Sequence, residues 1–267
     1  MRDEEIAIRR IAVVGLLACA ACAASPAQEK REPKGHLVVV GGGGVPAEAR
    51  KRALELAGGA SAVVLVVPQA SAAADAGASG AKAWTEAGAK DVSVLDLKDA
   101  KAAVESVRRA TLIWMGGGDQ NRLTAALAKT GVPEAMRERY EAGAVVGGTS
   151  AGAAVMSKVM ITGDADLDTI EPGRTKTAEG LGLWPEAIVD QHALKRGRLN
   201  RLIGCVLDHP QLVGVGIDED TAVVLSGRTF EVMGKSAVVV VDGRKAKGST
   251  GLELHVLRAG DKFEVSR

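Results

Sequence analysis

Aromatic side chains are almost missing from this chain: three Trp, two Phe and one Tyr, 2% of 267 residues. Single-stranded nucleic acid is held largely by bases stacking on aromatic platforms, so the composition argues against that mode of binding. An excess of either charge is also missing, with 34 Lys plus Arg against 33 Asp plus Glu and a formal charge of +1. No global field draws the chain to a polyanion or an anionic membrane, and any charge-based recognition must be local. Cysteine is scarce. Cys19 and Cys22 fall in the first 30 residues and Cys205 stands alone in the body, which leaves no intramolecular disulfide or cysteine metal cluster there. Cys205 reads as a small buried apolar residue. No histidine pair or carboxylate cluster has ligand spacing, so neither a metal nor another cofactor is called for.

Long apolar runs are absent too. The run Ile11–Cys19 is shorter than the roughly 20 residues of a spanning helix. Preceded by Arg9 and Arg10 and followed by small residues and Pro26, it has the charged, apolar and small-residue regions of a signal peptide. Residues 1–30 are therefore expected to be an export signal, and the protein to be periplasmic, extracellular or lipid-anchored. Leu16-Leu17-Ala18-Cys19 resembles a bacterial lipobox, which would make Cys19 a lipidated N-terminus and the only membrane attachment. Plain cleavage further on is the alternative.

What is abundant is Ala, Val, Leu and Gly, a composition that suits helices packed closely on a buried sheet. The length permits one large core, and residues 35–267 are expected to form a single domain. His36–Val40, Val63–Val67, Val92–Leu95, Thr111–Met115 and Ala144–Val146 are short apolar runs alternating with helical stretches at Pro46–Leu56, Ala81–Ala87, Ala102–Arg109, Asn121–Lys129 and Pro133–Ala142. Continuous rather than alternating hydrophobicity means strands covered on both faces. The pattern predicts an α/β fold with a mostly parallel sheet flanked by helices. After Val213 the short runs Val213–Ile217, Thr221–Leu225, Phe230–Val232, Ala237–Val241 and Leu252–Val256 are separated by turn residues such as Asp242-Gly243. They are expected to be antiparallel strands appended to that sheet.

Gly148-Thr149-Ser150-Ala151-Gly152 matches G-x-S-x-G between an apolar strand and the helix-like Ala151–Met156, the setting of a nucleophile elbow. A serine needs a base. Of the four histidines, His36 and His255 sit in strands and His209 precedes Pro210, whereas His192 ends Asp190-Gln191-His192 directly after the apolar Ile188-Val189. The carboxyl ends of strands are where α/β sheets place ligands, so His192 is the candidate. Two residues could supply an acid to orient it, Asp168 or Glu219, and position alone does not separate them. Asp218 and Asp220 read as turn or solvent residues. Lys195, Arg196, Arg198 and Arg201 follow the histidine as candidate clamps for acidic groups, with Arg198 and Arg201 sharing a face if the segment is helical. Gly116-Gly117-Gly118-Asp119-Gln120 follows a strand; N–H groups at Gly117 and Gly118 with that of Ala151 form a candidate oxyanion hole, and Gln120 a substrate contact. Gly41–Gly44 lacks the final glycine and the acidic residue of a dinucleotide loop.

With these four motifs in this order, from Gly35 to Val241, the chain resembles the cyanophycinases, serine peptidases grouped with aspartyl dipeptidases on a flavodoxin-like fold akin to class I glutamine amidotransferases. The resemblance implies hydrolysis of cyanophycin, a poly-aspartate carrying arginine on its side-chain carboxyls, to β-Asp-Arg dipeptides. By position it implies Ser150 as nucleophile, His192 as base and Glu219 as triad acid, with Gln120, Asp190, Gln191, Arg196, Arg198 and Arg201 lining the pocket; it also suggests a homodimer. Ala193 departs from the aromatic common in that family and alters the expected pocket wall. An aspartyl dipeptidase, or an exported binding protein that holds acidic ligands without turnover, are the competing readings.

Overall fold

A computed structural model describes residues 32–165, 167–248 and 250–265; the expected export segment with Cys19 lies outside the described residues. The β-branched runs form strands, and neighbouring side chains along each go to opposite faces. Leu37, Val39, Leu65, Val67, Ile113, Met115 and Val146 point into one core, and Val38, Val40, Val64, Val66, Leu112, Trp114 and Val145 into the other. These residues lie on β1 (His36–Val40), β2 (Val63–Val67), β4 (Leu112–Met115) and β5 (Val145–Thr149), while β3 (Asp91–Val94), expected to be covered on both faces, is an edge strand with no buried residue. All five run parallel, in the order β1-β5-β4-β2-β3. The connections carry α1 (Ala47–Leu56), α2 (Ala76–Glu86), α3 (Ala100–Arg109), α4 (Gln120–Leu127) and α5 (Val132–Ala142). Trp84 of α2 meets Trp114 of β4 edge to face, centroids 5.0 Å apart, within the geometry that aromatic pairs favour.

The C-terminal strands divide between two sheets instead of all joining the first. β10 (Thr221–Ser226), β11 (Thr229–Gly234) and β14 (Lys262–Glu264) continue the main sheet antiparallel beyond β1 to eight strands. β9 (Val213–Ile217), β12 (Val238–Asp242) and β13 (Glu253–Leu257) instead form a second sheet with β8 (Ala187–Gln191), in the order β13-β12-β9-β8. Within it β9, expected to be antiparallel, runs parallel to β8. The physical reason is α7 (Leu199–Asp208), a crossover between β8 and β9 of the kind parallel neighbours require. A separate hairpin pairs β6 (Val159–Ala165) with β7 (Thr175–Glu179).

One consequence decides the site. The chain leaves β9 in the small sheet and enters β10 in the large one through the three residues Asp218–Asp220. The carboxyl ends of β1, β4, β5, β8 and β9 supply the loops carrying every candidate motif, as expected of ligand sites in such sheets.

Candidate active site

Ser150 sits between β5 and the short α6 (Ala151–Ala154) with φ 53° and ψ −111°, a left-handed backbone that a serine adopts only when its surroundings impose it. Two glycines make the turn feasible by close backbone approach. A Cβ on Gly148 would lie 2.5 Å from the Gly152 carbonyl oxygen, and one on Gly152 would lie 2.3 Å from that of Met115. The elbow is tied down by Ser150 N–H donating to Val40 O at 3.0 Å and Gly152 N–H donating to Gly116 O at 3.2 Å. Gly117 lies against the serine: a Cβ on it would be 3.5 Å from that of Ser150. Gly118 turns at φ 140° against the backbone of Ala70.

His192, directly after β8, brings Nε2 to 2.9 Å from Ser150 Oγ, and its Nδ1 lies 2.6 Å from Glu219 Oε1. With Nδ1 donating to the carboxylate, Nε2 is left as an acceptor for the serine hydroxyl. Burial holds the imidazole pKa below its ordinary value; the hydrogen bond to Glu219 opposes that shift, and Arg196 and Arg198 reinforce it. Glu219 is thus the carboxylate beside His192, whereas Asp168 lies on the exposed stretch between β6 and β7. Asp218 is buried rather than solvent-facing. Its carboxylate accepts the N–H groups of Leu194 and Lys195 at 3.1 and 2.8 Å and the Ser236 hydroxyl at 2.6 Å. These bonds hold its pKa below the usual value against the opposing effect of burial, which is the largest single influence.

The six expected pocket residues separate into two groups. Asp190 and Arg201 are 1% and 2% exposed and grip each other through two bonds, Nε–Oδ2 at 2.8 Å and Nη2–Oδ1 at 2.5 Å. Both face inward, away from solvent. Buried charges persist by pairing, and this pair is satisfied inside the protein. The arginines do not share a helical face either, because α7 begins at Leu199, with Arg198 at its N-cap and Arg196 in the preceding turn. Arg198 Nη1 donates to Gln191 O at 3.0 Å and to Gln191 Oε1 at 2.5 Å. Burial, with Arg201 nearby, lowers its pKa to about 10. Arg196 is largely exposed, with Nε 4.0 Å from Glu219 Oε1. Gln120 is buried and spends its amide N–H on Ile161 O at 3.1 Å. Ala193 is fully buried, its methyl 3.1 Å from where a Gly216 Cβ would stand.

The model of peptidase family S51 matches residues 37–233, a span that includes Ser150, His192 and Glu219. The chain belongs to peptidase family S51. Relatives of this S51 peptidase are the cyanophycinases of Geminocystis herdmanii, 38% identical over 81% of this chain and 87% of its own, of Trichormus variabilis, 37% identical over 78% and 77%, and of Synechococcus elongatus, 34% identical over 87% and 80%. The S51 peptidase is therefore a hydrolase of cyanophycinase-like sequence. Among solved structures, a peptidase from an acI-B1 actinobacterium shares its fold with a TM-score of 0.65 at 23% identity, covering 87% of this chain and 98% of that one. A putative peptidase E from Listeria monocytogenes EGD-e does so with a TM-score of 0.57 at 19% identity, covering 76% and 99%.

Two contributors to the S51 peptidase site escape sequence reasoning. Asp218 reads as a turn residue because nothing local announces the N–H groups of residues 194 and 195 that it collects. The loop Gly41–Gly44 reads as a failed dinucleotide motif, yet Gly42 abuts the His192 ring. The available signal was a glycine run at a strand's carboxyl end, where ligand sites form.

Proposed function

We propose that this S51 peptidase hydrolyses cyanophycin to β-Asp-Arg dipeptides through a Ser150-His192-Glu219 triad. The observation that carries the reading is the unbroken chain Ser150 Oγ, His192 Nε2, His192 Nδ1, Glu219 Oε1, with contacts of 2.9 and 2.6 Å, on a serine in elbow conformation. In this mechanism Ser150 Oγ attacks the scissile carbonyl carbon as Nε2 takes its proton, and Glu219 stabilises the imidazolium. The charge on the carbonyl oxygen meets the N–H groups of Gly117, Gly118 and Ala151. Collapse of the tetrahedral species breaks the C–N bond, the leaving amine takes the proton from Nε2, and an acyl ester remains on Ser150. Water, deprotonated by the same nitrogen, then releases the acid product and restores the hydroxyl.

Cyanophycin as substrate rests on the cyanophycinase relatives and on the two arginines that remain beside the triad. Arg196 and the half-buried Arg198 suit carboxylates, which guanidinium forks bind bidentately; Gln120 Oε1 and Gln191 serve the polar groups of the substrate. Export, by lipidation at Cys19 or by plain cleavage further on, belongs to the same proposal and would place the peptidase where it meets polymer released by other cells.

The test is incubation of the purified protein with cyanophycin, with mass spectrometry for β-Asp-Arg and Ser150→Ala as control. Dipeptide from the wild type alone supports the proposal. Intact polymer with cleavage of small aspartyl peptides transfers the assignment to a dipeptidase, and folded protein that cleaves neither points to a binding protein.

A further inference from the structure

The end of β1 and the loop after it contribute no group to the chemistry above, yet they touch its nucleophile, its base and the turn that carries its acid. Val40 O accepts the N–H of Ser150 at 3.0 Å, Gly41 O that of His192 at 2.8 Å, and Gly42 O that of Asp220 at 3.0 Å. Gly41 N–H donates to Thr221 O at 3.0 Å, and Gly44 N–H donates to Asp220 Oδ1 at 2.6 Å. Three consecutive carbonyls thus hold the nucleophile, the base and the residue after the acid. The same three residues, Ser150, His192 and Asp220, each have φ 53°, and among the described residues the only other non-glycine with positive φ is Lys129. Such backbone conformations persist only where the surroundings over-determine them, and one strand end does so for all three.

Gly42 adds a side-chain contact to this frame. At φ 110° a Cβ on it would stand 2.2 Å from His192 Cε1, 2.5 Å from Nε2 and 2.8 Å from Nδ1, so the imidazole covers its bare Cα. We propose that Gly42 is a positioning residue, the stop against which the His192 ring rests while Nε2 faces Ser150 and Nδ1 faces Glu219. This rests on the role proposed above for His192. A methyl group here has nowhere to go except into the ring, and a displacement of about 1 Å in a catalytic group can cost about 100-fold in rate.

Gly58 supplies a matched control. Its φ is 108°, but a Cβ there would meet only Ser61 Oγ, at 3.3 Å. Gly42→Ala and Gly58→Ala are compared by thermal midpoint and by the rate at which a fluorophosphonate labels Ser150. Both variants lose stability through alanine at positive φ, but only Gly42→Ala labels slower, by about 100-fold. Labelling of Gly42→Ala within about threefold of Gly58→Ala overturns the proposal. Should Gly42→Ala fail to fold, Gly42→Ala/His192→Ala removes the ring. A double variant that folds, or melts higher than the single one, supports the contact; one no better than the single variant overturns it. If the wild type resists labelling, the nucleophile reading loses support, while the midpoints of the single and double variants still judge Gly42.

Discussion

Arg201→Met removes one half of an ion pair that is almost wholly enclosed, with Asp190 1% and Arg201 2% exposed. Methionine keeps much of the apolar volume of the arginine stem, so the loss is chiefly electrostatic: the Asp190 carboxylate gives up bonds of 2.8 and 2.5 Å and gains no water. Leaving one partner of a buried pair uncompensated costs about 3–5 kcal/mol. At about 2–4 °C per kcal/mol for a domain of this size, the thermal midpoint should fall by roughly 6–20 °C. Asp190→Asn in the same chain removes the stranded charge, and the double variant should melt well above Arg201→Met, because replacing both members of such a pair is often near neutral. Circular dichroism melts supply the stability, and KM for cyanophycin, measured where every variant is folded, supplies the function. Because the Arg201 guanidinium is enclosed and bound to Asp190, KM should stay within about twofold of wild type, whereas Arg198→Met should raise it by about tenfold or more, the loss of a charge-assisted bond of about 1.5–3 kcal/mol. An Arg201→Met protein that melts within about 2 °C of wild type while its KM rises tenfold would refute the reasoning and return Arg201 to the pocket.

The remaining predictions concern the triad and its elbow. Glu219→Gln should lower kcat by on the order of 1,000- to 10,000-fold with KM little changed, since an amide no longer fixes the tautomer or stabilises the imidazolium; Asp168→Asn should stay near wild type, and steady-state kinetics on both decides between the two acids. Burial depresses the His192 pKa; because only the neutral imidazole can take the serine proton, kcat/KM should be full above that pKa and lost below it, with the acid limb centred below the ordinary histidine value of about 6.5. Arg196→Gln removes a cation that lowers this pKa, so the limb should move to higher pH; a shift to lower pH in the same titration would contradict the assignment. Gly148→Ala sets a methyl 2.5 Å from a backbone oxygen that cannot step aside, and urea unfolding should show a loss of about 3 kcal/mol or more, if the variant folds at all.

The parallel strands were legible because burial on both faces leaves no room for alternation: Val63–Val67 and His36–Val40 read as strands with the bounds they have. The elbow was legible for a related reason, since Gly148 and Gly152 are demanded by backbones in contact and no other residue could stand there. By contrast β7 carries Thr175–Glu179 with four of its five residues exposed, and β14 is three residues long, so neither has an apolar period to read. The division of the C-terminal strands between two sheets is a matter of long-range pairing, and this is why position alone left Glu219 and Asp168 unseparated. Glu219 reaches His192 only because the chain crosses from one sheet to the other at that point, and a list of carboxylates near Ser150 and His192 in sequence cannot contain that fact. Arg201 was expected in the pocket with Arg196 and Arg198 because its partner could not be foreseen. Asp190 and Gln191 are neighbours on one strand and so face opposite ways, and only packing shows that the first turns inward to take Arg201 out of the site. The three strained residues left no compositional trace at all, since Ser, His and Asp stand where positive φ would favour glycine. What the sequence did display was the compensating feature, the glycines after β1, whose purpose could not be read because the imidazole they accommodate arrives from the end of a strand in the other sheet.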